Sequence, residues 1–84
     1  MHSDLCLVLD QGSHSSRAMI FDRFGHCHSQ GQVRIKTQLT PPNRAEQQPE
    51  QVLISLKRAA LEAISTLKRE DRIRLRSAAL VTQR

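Results

Sequence analysis

The chain has no tryptophan and no tyrosine, and Phe21 and Phe24 are its whole aromatic content. Proteins that bind single-stranded nucleic acid stack bases on aromatic faces, so this scarcity argues against such a role despite a net charge of +5 and a pI near 10.3. Much of the excess charge lies in the tail, at Lys68, Arg69, Arg72, Arg74, Arg76 and Arg84, and reads as a solvated surface. Long apolar runs are missing as well. Nothing approaches the roughly 20 residues needed to cross a bilayer, and no basic segment followed by an apolar core opens the sequence, which argues against a membrane span and a secretory signal. Cysteine is scarce: Cys6 and Cys27 are isolated thiols on expected strands, as in a reduced, cytoplasmic protein. No G-x-x-x-x-G-K-[ST] run occurs, so a Walker-type nucleotide site is excluded. There are no internal repeats, and 84 residues make one small domain at most.

What is present is concentrated between Leu7 and Asp22, in LVLDQGSHSSRAMIFD. An apolar strand runs into Asp10, a turn follows through Gly12, Ser13 and His14, and Arg17 opens a second apolar strand. A carboxylate at a strand end beside turn amides suits a phosphate and its metal. Gly12 lets the main chain approach a bulky anion, the turn amides can form a nest, and Asp10 can orient a hydrated Mg²⁺. An isolated D-x-G would be an ordinary hairpin loop, but the S-x-S-S-R continuation and the flanking strands favour the phosphate reading.

Periodicity supplies the layout. Leu5 to Leu9 is a continuous apolar run, the pattern of a strand covered on both faces, and Ala18 to Phe21 reads alike. The turn Asp22-Arg23-Phe24-Gly25-His26 predicts a hairpin into a third strand, from about Cys27 to Gln38. That strand is polar and only partly alternating, with Val33, Ile35 and Thr37 on one side and Arg34 and Lys36 on the other, which suits a sheet edge. Thr40-Pro41-Pro42-Asn43 reads as a loop. A helix of roughly 20 residues starts near Pro49, its apolar stripe being Leu53, Leu56, Ala60, Ile64 and Leu67, widened by Ala59 and Ala63. Leu75 to Thr82 supplies a last strand, expected to lie parallel to the first because a helix connects them. On a strand, His26 and His28 share a face while Cys27 faces away, poor geometry for a zinc site.

The segment DQGSHSSRAMIFD resembles the opening motif of the FGGY carbohydrate kinases, closest to their glycerol kinase-like members. AEQQPEQVL, Ala45 to Leu53, resembles the acidic-x-x-Pro segment that opens the first long helix of these kinases. ALVTQR, Ala79 to Arg84, resembles a family strand ending in N-Q-R. The resemblance covers essentially the whole chain in family order. It implies an α/β fold, the β-β-β-α-β start of a ribonuclease H-like (actin/sugar kinase) domain, with a mixed sheet and one crossover helix. Residues 1–84 would then be part of an N-terminal, sugar-binding domain, a fragment inactive by itself, of an ATP-dependent kinase that transfers the γ-phosphate to a sugar or polyol hydroxyl.

The resemblance also implies roles. Asp10, Gly12, Ser13, His14 and Arg17 would form the first phosphate (Mg-ATP) loop, with Asp10 holding Mg²⁺ through water. Gln11 and Arg84 would address the sugar or polyol, and the catalytic base is expected downstream. His14 stands where these kinases carry a small hydroxyl residue, Arg44 where they often carry an aromatic, and Thr82 where an Asn is common. These departures leave the sugar or polyol open. The alternative is a stand-alone, basic α/β module that binds anions or RNA or mediates an interaction. The single helix can cover only one sheet face, leaving Leu7, Leu9, Ile20 or their neighbours without a second layer, and an unpaired strand edge predicts a dimer.

Overall fold

A computed structural model describes residues 4–35, 38–40, 44–46 and 49–82. Its main body is a four-stranded mixed sheet of β1 (Leu5–Gln11), β2 (Ser15–Asp22), β3 (Cys27–Arg34) and a final strand Leu75–Thr82. Two short strands, β4 (Gln38–Thr40) and β5 (Arg44–Glu46), pair antiparallel as a separate two-stranded sheet, which makes the final strand β6. The helices are α1 (Pro49–Ser65) and a single turn, α2 (Arg69–Arg72). Strand order in the main sheet is β3-β2-β1-β6. β1–β2 and β2–β3 are antiparallel, and β6 runs parallel to β1 after the α1 crossover, as the sequence predicts.

Register sorts the side chains onto two faces. Leu5, Leu7 and Leu9 of β1 lie beside Ile20 and Ala18 of β2 on the face that α1 covers. Cys6, Val8 and Asp10 alternate with them and share the opposite face with Phe21, Met19 and Arg17. The core joins Leu5, Ala18 and Ile20 of the sheet to Ala59, Ala63 and Leu67, with Leu7, Leu9, Val33, Ala60, Ile64 and Leu75 packed around it. Full burial of a side chain such as Ile20 contributes about 1.5–3 kcal/mol. The two-sided cover expected for Leu5 to Leu9 is therefore half realised, since among the described residues only α1 lies on the sheet. Of the expected residues, Leu7, Leu9 and Ile20 face α1, and it is their neighbours Cys6, Val8, Met19 and Phe21 that lack a second layer among the described residues.

The helix buries most of its expected stripe, Leu56, Ala59, Ala63 and, just past its end, Leu67, with Ala60 and Ile64 packed on the core. It is turned toward the alanine side, so that Ser55 goes in and Leu53 comes out. Its buried residues are Ser55, Leu56, Ala59 and Ala63, whereas Leu53 is 56% exposed and Ile54 and Leu61 also face outward. The cause is close approach. A Cβ at Gly31 would collide with the Ala59 carbonyl and lie 2.8 Å from Glu62 Cβ, so α1 and β3 nearly touch main chain to main chain. Only small residues fit such a seam. Two hydroxyl contacts fasten it: Ser16 Oγ lies 2.7 Å from Ser55 Oγ, and Ser29 Oγ donates to the Ala63 carbonyl at 2.7 Å.

The third strand stops at Arg34, short of Gln38, and the chain re-forms as β4 and β5. Pro41, Pro42 and Asn43 lie outside the described residues, as do Lys36 and Thr37. Part of the basic tail is structural. Arg74 Nη1 meets Asp71 Oδ1 at 2.7 Å, and Arg72 donates to the Ser65 carbonyl at the end of α1, placing a cation at the negative pole of the helix.

Candidate functional site

The carboxyl ends of the parallel strands β1 and β6, the β1–β2 turn, the end of β3 and the start of α1 all meet at one end of the sheet. In α/β sheets that end is where ligands bind, because helix N-termini and strand-end loops converge there. Asp10 is the penultimate residue of β1, in register with Arg17 on β2 and Val81 on β6. Its side chain is half-buried, and Oδ1 is buried without accepting a hydrogen bond from the described residues. Arg17 is its exposed cross-strand neighbour on the same face, with no direct ion pair between the two. A buried carboxylate oxygen left unsatisfied costs on the order of 1–3 kcal/mol, a cost that a hydrated cation or water would remove. The donor chemistry fits a Mg²⁺ that takes one carboxylate and keeps most of its waters.

The turn itself is tightly closed. Gly12 N–H donates to the Ser15 carbonyl at 2.9 Å, so this amide closes the turn instead of facing a ligand, unlike the nest expected from sequence. The His14 carbonyl accepts from Ile35 N–H at 2.9 Å, which ties the turn to the end of β3. Ser13 and His14 are exposed at the tip.

Gln11 points the other way. It shares the helix-side face with Leu9 and lines a recess of about 430 Å³ with Pro49, Val52, Leu53 and Leu56, at the first turns of α1. Thr82 is in register with it on β6. The structure thus brings Asp10 and Arg17 together, keeps Gln11 on the opposite face, and leaves Arg84 outside the described residues. Sequence reasoning placed Arg34 at a sheet edge without giving it a role. The structure sets it beside His14, Ser15 and Gln32 around an open groove of about 570 Å³. The signal available was the antiparallel register, which returns the end of β3 to the β1–β2 turn.

At the opposite end of the sheet, Asp22 organises the β2–β3 turn. Its Oδ1 accepts from the amides of Phe24 and His26 at 2.9 and 3.0 Å. Its Oδ2 lies 2.9 Å from His28 Nε2 and 3.5 Å from His26 Nδ1. The hydrogen bond from His28, then the two amides and the nearby His26, lower the carboxyl to about 2 against the opposing effect of burial. Both rings turn to Asp22, while the Cys27 thiol turns to the Ser29 carbonyl, so this trio is a turn clasp. Gly25 closes the turn at φ 85.

Residues 5–78 match the model of the FGGY family of carbohydrate kinases, N-terminal domain. The chain is 35% identical over 65 residues to a glycerol kinase of Paraburkholderia phytofirmans, an alignment covering 77% of this chain and 13% of that protein. A glycerol kinase of Thermococcus kodakarensis is 36% identical over 64 residues, covering 76% and 13%. The chain therefore spans about 13% of the length of these curated relatives. The crystal structure of Plasmodium falciparum glycerol kinase with ADP superposes with a TM-score of 0.77 at 18% identity, over 98% of this chain and 16% of that one. That similarity carries the fold, an α/β arrangement of the actin/sugar kinase type.

Proposed function

The chain belongs to the FGGY family of carbohydrate kinases, and on that premise we propose that it forms part of the N-terminal, sugar-binding domain of an ATP-dependent kinase acting on a sugar or polyol hydroxyl. The observation that carries the reading is Asp10: a strand-end carboxylate with one oxygen buried and, among the described residues, unsatisfied, in register with Arg17 on the same face. Magnesium, when bound, would sit at Asp10 through water and neutralise charge on the phosphoryl oxygens. Arg17 adds a fixed positive charge on the same face, suited to the equatorial oxygens of the transferred group. Gly12, Ser13 and His14 bound the phosphate from the turn. Gln11, and in the same reading Arg84, present planar donors to the hydroxyls of the sugar or polyol.

Asp10 is not the base in this reading. A base must reach the substrate hydroxyl directly or through one water, and Gln11, the residue assigned to the polyol side, projects from the opposite face of β1. The base is assigned to a residue outside this chain. The test is Asp10→Asn in the full-length kinase that carries this segment. The expected result is a fall in kcat of about 100-fold, with the KM for the sugar held within about twofold, because metal organisation serves transfer and not sugar recognition. Unchanged turnover would remove the assignment.

A further inference from the structure

We propose that the groove between the β1–β2 turn and the end of β3 is a second, adjoining oxyanion subsite, with Arg34 as its principal ligand and His14 and Ser15 as flanking donors. It goes beyond the phosphate loop, with which it shares His14, because its principal ligand lies on the edge strand and it does not use Asp10, the residue that would organise a metal.

Four observations support it. The groove is open, about 570 Å³, and bounded by His14, Ser15, Gln32, Arg34 and Ile35, so no acidic side chain lines it. Its polar groups are rich in donors: a guanidinium, an imidazole N–H, a hydroxyl and a carboxamide NH₂. Such a set recognises an oxyanion and offers little to a cation. Among the described residues Arg34 has no carboxylate within ion-pair distance, and neither has Arg17, its diagonal neighbour on the same sheet face across the Ser15–Arg34 and Arg17–Gln32 pairs. Cross-strand diagonals lie about 7–8 Å apart, so the Arg17 guanidinium adds to the positive potential at Arg34, with Asp10 one strand further away, beside Arg17.

The walls are also held in place without the ligand. Ile35, 7% exposed, forms an apolar floor, and its N–H donates to the His14 carbonyl at 2.9 Å. Gln32 Nε2 donates to Ser15 Oγ at 3.3 Å, which joins the two sides of the groove. Preformed walls spare a ligand the entropy of ordering them. An arginine fork matches two oxygens of a phosphate or carboxylate at once. The ligand class is therefore a small oxyanion, or a sugar that already bears one.

The test uses the 84-residue chain, with amide and arginine side-chain NMR signals followed at constant ionic strength. Inorganic phosphate is titrated in one arm and an aldonate, a sugar carboxylate, in the other. The expected result is saturable shifts at His14, Gln32 and Arg34 in the millimolar range. Arg34→Gln should weaken binding about tenfold, the loss of one charge-assisted pair. Arg34 is exposed, so the variant keeps its fold, and an unchanged amide spectrum elsewhere verifies this. Asp10→Asn should leave these shifts unaltered, which separates this subsite from the phosphate loop. Tighter phosphate binding would assign a phosphoryl group, and tighter aldonate binding a sugar acid. Shifts that do not saturate in either arm, that survive Arg34→Gln, or that centre on Gly12 and Arg17 would overturn the proposal.

Discussion

Two glycines receive the same substitution for opposite reasons, and comparing them tests how α1 is seated. At Gly31 a new Cβ would strike the Ala59 carbonyl and approach Glu62 Cβ at 2.8 Å and the Ala63 amide nitrogen at 3.0 Å. Two of these three atoms are main chain, so no side chain can swing aside and the helix itself must lift. Lifting it also stretches the Ser16–Ser55 and Ser29–Ala63 contacts. Overpacking of this kind costs about 3 kcal/mol, at the upper end of its usual range. At Gly25 a Cβ would meet nothing within 4 Å, but φ is +85, where an L side chain is strained by about 1 kcal/mol. In urea, with m near 1 kcal/mol per molar for a small domain, Gly31→Ala should lower the midpoint by about 3 M and Gly25→Ala by about 1 M. Gly25→Asn should recover most of its loss because asparagine tolerates positive φ, whereas Gly31→Asn should be worse than Gly31→Ala. The assay is far-UV circular dichroism, with the helical signal as the readout. A Gly31→Ala chain with the parental midpoint would refute the close helix–sheet seam.

The Asp22 clasp predicts a pH dependence of known sign. Its carboxyl is lowered from 3.8 to about 2 in the fold, so its contribution is complete above about 4 and disappears as pH falls toward 2. The protection factors of the Phe24 and His26 amides, measured against intrinsic exchange at each pH, should fall over that window, and Asp22→Asn should remove the dependence; protection that is unchanged from pH 5 to about 2 would contradict the clasp. Ser16→Ala should cost only about 1 kcal/mol, because Ser55 Oγ keeps its bond to the Val52 carbonyl at 2.7 Å, and a loss several times larger in chemical denaturation would count against that arrangement. The 84-residue chain should self-associate, most simply as a dimer, through the open edge of β6, where Leu80 is 59% and Val81 48% exposed. Sedimentation equilibrium that finds a folded monomer at high micromolar concentration would refute this.

The order of elements was legible because each carries a local signal. A continuous apolar run gives β1, a turn with glycine at its strained position gives the β2–β3 hairpin, and a proline beside a glutamate gives the start of α1. The crossover then dictates that β6 is parallel to β1. Most of the buried stripe along α1 to Leu67 was legible, Leu56, Ala59 and Ala63 among it, but the exchange of Leu53 for Ser55 was not, because hydrophobic periodicity weights leucine above serine. Here alanine and serine are buried because Gly31 admits the helix so closely, a fact that lies on another element 24 or more residues away. The strands β4 and β5 were missed for a different reason: three-residue strands around two prolines leave no period to detect. Within the site, Asp10, Gly12 and Arg17 stood out as a contiguous motif. Arg34 did not, since only the antiparallel return of β3 brings it to His14.

The same register divides the chemistry of the site. Strand side chains alternate faces, so neighbours in sequence at the end of β1 serve opposite sides of the sheet. Asp10 shares its face with Arg17, Gln32 and Arg34, a band of one carboxylate and two guanidiniums across β1, β2 and β3. Gln11 shares the other face with the first turns of α1, in a recess with Leu53 and Leu56. Anion-handling groups and an uncharged hydrogen-bonding group are thereby separated by the thickness of a sheet while remaining one peptide apart. A slip of one residue in the β1–β2 pairing would exchange them and carry Leu7 and Leu9 out of the core in the same step. The hydrophobic pattern that holds β1 in the fold is therefore also what keeps the Asp10 carboxylate on the arginine side.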